Sequence, residues 1–67
     1  MALTLTQKLL IYGLTLFPIP KETRVAIFFS LETEEEKRQL IAYLKKHPEA
    51  TKQDVLDKVG EIIESTM

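Results

Sequence analysis

Apolar positions crowd the first half of this chain and are spaced at helical intervals in the second. Between Met1 and Leu31 only Lys8, Lys21, Glu22 and Arg24 are charged, whereas charges dominate from Glu32 onward. At about 100° per residue, Val55, Leu56, Val59, Ile62 and Ile63 share one stripe, with Asp54, Asp57, Glu61 and Glu64 opposite. Leu40, Ile41, Tyr43 and Leu44 give a comparable stripe. Each of these two segments reads as a one-sided helix that needs a single apolar neighbour.

The first segment is apolar on two sides. Leu5, Leu9, Tyr12 and Leu16 form one stripe, Leu10, Leu14 and Phe17 a second, and Thr6 and Gly13 lie in the gap. The next segment has a broad arc of Val25, Ile27, Phe28, Phe29 and Leu31, with the small residues Thr23, Ala26 and Ser30 on the remaining side, where a helix could approach closely. Residues 25–29 are also good strand formers. A lone strand would find no partner in this chain, which favours helix.

The boundaries follow from local chemistry. Thr4-Leu5-Thr6-Gln7 and Thr33-Glu34-Glu35-Glu36 are capping boxes, and Thr51-Lys52-Gln53-Asp54 opens a further helix with threonine as cap. Pro18, Pro20 and Pro48 interrupt the pattern, since proline cannot continue a helix from its interior. Phe17-Pro18-Ile19-Pro20 reads as an extended connector, and Pro20 suits the first helical position of the second helix. Lys45, Lys46 and His47 close the third helix, where positive charge is favoured. Glu34/Arg38 and Asp54/Lys58 are spaced to form i,i+4 ion pairs. The expectation is an all-α domain spanning residues 1–67, a bundle of four short helices at about 4–17, 20–31, 33–47 and 51–65.

Length sharpens this picture. A chain of 67 residues buries only about 60% of its unfolded surface, and oligomerisation is one remedy. The absence of cysteine removes disulfides and thiolate metal sites. One alternative buries both faces of the first helix by placing it centrally, with the other three wrapped around it. The reading favoured here leaves its second face, and part of the second helix, for a partner, most simply another copy in a homodimer. Leu9, Tyr12, Leu16, Phe28 and Phe29 are the expected interface residues.

Charge and candidate chemistry narrow the function classes. The net charge is −1 with both signs interspersed, unlike the basic face of a nucleic-acid module or a membrane-surface helix. Lys8 followed by Leu9–Phe17 imitates a signal peptide, but no small-residue cleavage site follows and the run is far short of the roughly 20 residues that span a bilayer. A bacterial-type cytoplasmic location is therefore expected. His47 has only Glu49 near it in sequence and no metal-ligand spacing, which leaves it a helix-terminal residue. Glu34, Glu35 and Glu36 point in three directions and cannot converge on one ion. Gly13 and Gly60 fall inside helices, where close packing of a neighbour, or an early end to the fourth helix at Gly60, would account for them. Tyr12 and Tyr43 suit the rim of a core or interface. No triad, metal constellation or phosphate loop is present, so neither enzymatic activity nor a cofactor is expected.

Residues 40–56, with the turn His47-Pro48-Glu49-Ala50-Thr51 between two helices, resemble the opening of bacterial winged-helix and helix-turn-helix regulators. That resemblance implies a DNA-binding pair whose reading helix supplies arginine, lysine, asparagine or glutamine to the major groove. Were the fourth helix the reader, Asp54, Asp57, Glu61 and Glu64 would repel phosphates, and no DNA-contacting residue is assigned. The leading expectation is a non-enzymatic protein–protein interaction or oligomerisation module acting through the first two helices. A minimal DNA-binding regulator is the alternative.

Overall fold

The computed structural model describes residues 3–65, which form four α-helices and no strand: α1 (Leu5–Thr15), α2 (Lys21–Ser30), α3 (Glu34–Lys46) and α4 (Lys52–Ser65). Three helices start where the capping chemistry places them. The Gln7 amide donates to Thr4 Oγ1 (3.1 Å) while the Thr4 amide donates to Gln7 Oε1 (2.8 Å). Thr33 and Glu36 form the same reciprocal pair at 3.1 and 3.0 Å, and Thr51 and Asp54 at 3.2 and 3.0 Å. Each box satisfies two backbone donors that a helix start leaves free.

The second helix differs. Pro20 is its N-cap rather than its first helical residue and offers no side-chain cap. Its support comes from the other end. Lys37, buried in the first turns of α3, donates from its ammonium to the carbonyl of Leu31, the C-cap of α2. A cation at a helix C-terminus satisfies an orphan carbonyl and complements the negative end of the dipole. The same ammonium lies 5.4 Å from the centroid of the Phe28 ring, within cation–π range. Residues 25–29 are thus helical, and Lys37 reaches across the Leu31–Thr33 connection to hold the end of that helix.

The α1–α2 connector contributes to the core. After α1, the Leu16 and Phe17 amides donate to Gly13 and Leu14 carbonyls, both at 3.2 Å, and tighten the last turn. Helical bonding stops there because the residue before Pro18 is pushed out of helical geometry. Ile19, between the two prolines, is buried against the helices.

Helix α1 packs chiefly on α3 and also on α2; α3 packs on α4, and α2 touches α4. Leu10 and Leu14 of α1 meet Leu40 and Leu44 of α3 in one apolar cluster, joined by Ile27 and Leu31 from α2 and Val55, Val59 and Ile62 from α4. Every helix therefore buries one stripe. The central placement of α1 is not adopted, because its Leu5–Leu9–Tyr12–Leu16 stripe is exposed. Loose packing is not the reason. The radius of gyration is 10.9 Å, about the 11 Å of a compact chain of this length.

Some local expectations are corrected. Lys58 pairs with Glu61 at 3.1 Å rather than with Asp54, whose carboxylate is engaged by the Thr51 amide. Glu34 and Arg38 form no ion pair among the described residues. Ala26 and Ser30 face solvent instead of a neighbouring helix, and the Ser30 hydroxyl donates back to the Ala26 carbonyl (2.8 Å). Gly60 is exposed with nothing within 4 Å of an added Cβ, and α4 continues past it to Ser65. Gly13 does lie against α3, where a Cβ would meet Leu44 Cδ1 at 3.5 Å, ordinary contact rather than a clash.

Candidate functional site

The largest uncovered apolar feature is the outer face of α1. Leu5, Tyr12 and Leu16 are 72%, 65% and 67% exposed and Leu9 is 43% exposed, although the helix opposite them is sealed by Leu10 and Leu14. The division follows from geometry. Residues 5, 9, 12 and 16 fall within about 60° of arc, centred roughly opposite Leu14. Burial of one stripe on α3 leaves the other pointing outward.

A groove of about 280 Å³ flanks this face between α1 and α2. Ile11 and Leu14 form one wall, Val25, Phe28 and Phe29 the other, and Lys21 and Arg24 border it. Its surface is almost wholly apolar. Thr15, between the groove and Leu16, donates its hydroxyl to the Tyr12 carbonyl (2.6 Å) and so satisfies its polar atom within its own helix.

The five expected interface residues separate into two roles. Leu9, Tyr12, Leu16 and Phe29 are exposed, Phe29 at 73%. Phe28 is half-buried, packs on the core, and meets Phe29 edge to face with centroids 5.6 Å apart at 89°. It braces the exposed ring more than it offers surface. Leu5, Ile11 and Val25 belong to the same uncovered region and lie outside the expected set. Leu5 is legible as a member of the outward stripe. Ile11 falls outside both α1 stripes, about 60° round the helix from Leu14 and about 100° from Tyr12, so the stripes do not point to it.

The charged and aromatic candidates lie elsewhere. His47 caps α3, its amide donating to the Tyr43 carbonyl at 3.0 Å, and its ring is 4.6 Å from that of Tyr43. Its Nδ1 is 3.7 Å from Glu49 Oε1. A shallow depression of about 370 Å³ runs past Gln39, Tyr43, Lys46, His47 and Lys58. Among the described residues no hydroxyl or thiol nucleophile lines it beyond the Tyr43 phenol, and the Lys58 ammonium stands 5.6 Å from the Tyr43 ring centroid. Of the three consecutive glutamates, Glu36 turns back onto the Thr33 cap and is buried, while Glu34 and Glu35 are exposed. Among the described residues no three histidine, cysteine, aspartate or glutamate side chains are placed to hold a metal ion. No described helix is long and apolar enough to cross a membrane.

Comparison with known protein families, with curated proteins and with solved structures finds nothing that matches this chain.

Proposed function

We propose that this chain is a non-enzymatic interaction module that associates with a second copy of itself through α1 and the adjoining edge of α2. The observation that carries this reading is the Leu5–Leu9–Tyr12–Leu16 stripe, continuous and exposed on a helix whose opposite side carries the buried Leu10 and Leu14. Its four residues alone expose on the order of half or more of the roughly 800 Å² that one partner contributes to a standard interface. Ile11, Val25 and Phe29 add apolar surface along the groove beyond Lys8 and Thr15. Patches of this extent on small proteins mark contact surfaces. Exposed Tyr12 and Phe29 are the residue types that anchor such contacts.

Sedimentation equilibrium over a wide concentration range tests the proposal. The native chain is expected to dimerise, and Tyr12→Asp and Leu16→Asp are each expected to weaken dimerisation at least ten-fold. Both positions are outside the core, so helicity by circular dichroism should persist at concentrations where the variants are monomeric. A native chain that stays monomeric at every concentration overturns the reading.

A further inference from the structure

From the layout of the exposed face we infer that two copies pair α1 against α1 in antiparallel fashion, about a twofold axis crossing the helix between Leu10 and Ile11. This rests on the self-association reading above and specifies its geometry. The outward residues are spaced four, three and four apart, the spacing that keeps a helix seam facing a partner helix. The spacing is also symmetric about its midpoint. A perpendicular twofold sets Leu5 opposite the second copy's Leu16, and Leu9 opposite its Tyr12. Every large exposed side chain of the stripe then meets an apolar one, as an isologous contact requires.

Helix electrostatics select antiparallel over parallel pairing. Helix α1 has no acidic residue in its first turn and no basic residue in its last. Neither end of its dipole is offset by a side-chain charge, in contrast to α3, which has three glutamates at its start and two lysines at its end. Parallel pairing would place like, uncompensated ends together. Antiparallel pairing places the positive end of each helix beside the negative end of the other. On the α2 side the seam is bordered by Thr15, whose hydroxyl is turned into its own helix, and by the exposed Lys8. The long Lys8 side chain can keep its ammonium in water at the rim, and the apolar α1–α2 groove lies beyond both residues.

The chain has no cysteine, so introduced thiols report the arrangement without background. Leu5→Cys and Leu16→Cys alter exposed positions about 16 Å apart along the helix. Each variant is first confirmed folded by circular dichroism and dimeric by sedimentation. On mild oxidation or with a short bis-maleimide, the 1:1 mixture of the two variants is expected to give a dimer cross-linked from position 5 of one copy to position 16 of the other, and neither variant alone should cross-link efficiently. Leu9→Cys and Tyr12→Cys lie only about 4.5 Å apart along the helix, close enough to the axis to link alone or mixed in either orientation, and so report only that the contact is on α1. Efficient linkage within the Leu5→Cys variant alone and within the Leu16→Cys variant alone would establish parallel pairing and overturn the inference while self-association stands. A dimer that cross-links in none of these combinations would also overturn it, because the contact would then lie off α1. A monomeric native chain would instead remove the underlying reading.

Discussion

Gly60 illustrates how a single position separates local cost from tertiary need. Glycine in a helix interior costs about 1 kcal/mol relative to alanine, and at Gly60 no neighbour requires the missing Cβ. Gly60→Ala is therefore expected to raise stability by about 0.5–1 kcal/mol, read as a higher urea midpoint with an unchanged slope. Unchanged or lower stability would mean that this site has a constraint beyond helix propensity. The sequence locates Gly60 correctly on α4 but allows either a close contact or an early helix end. Neither is found, because the surface there is open. Lys37 escapes sequence reading for the converse reason. It lies three residues before Leu40, on the core-facing side of α3, and Glu36 lies four before. A charge at a core position becomes interpretable only once the Leu31 carbonyl and the Phe28 ring are seen beside it.

At the scale of elements, the helices are most legible where their starting signals are encoded within four residues. The boxes at Thr4, Thr33 and Thr51 all form. Removing one has a calculable effect. Thr33→Ala is expected to destabilise the chain by about 1 kcal/mol, the usual loss of a threonine N-cap, measured by thermal or urea unfolding. A Thr33→Ser variant should retain most of that energy through the same oxygen, and equal losses in both would argue against the cap. Helix α2 is the ambiguous element because its stabilising contacts are tertiary. Nothing between Pro20 and Leu31 reveals that a lysine six residues past Leu31 will hold it. The α1 boundary reads two residues too long for a related reason: Leu16 and Phe17 look helical in pattern, but Pro18 ends the regular bonding.

For the molecule as a whole, the two-faced pattern of α1 is legible and its resolution is not. Periodicity shows two apolar stripes, but only the packed arrangement distinguishes a central helix from a peripheral one. Helix α1 is peripheral, and its inner face is the Leu10–Leu14 side that matches α3. The same arrangement separates folding from association. Changes at Leu10 or Leu14 would open a cavity in the shared core, at about 2–5 kcal/mol for leucine to alanine, whereas changes at Tyr12 or Leu16 act on an exposed surface.

The uncapped start of α2 implies an order in which the native state opens. Helix α2 is the shortest of the four at 10 residues, and within it only Ile27 is fully buried. Hydrogen exchange followed residue by residue should find α2 amides the least protected among the four helix interiors and those of α3 among the most, since sparse burial lowers the free energy of local opening. Equal protection in α2 and α3 would show that the Lys37 tether fully replaces the missing cap. Because Val25 and Phe29 lie on that helix, each opening would also withdraw one edge of the proposed contact surface. Exchange in α2 should therefore slow as protein concentration rises, coupling the weakest element of the protomer to the presence of its neighbour.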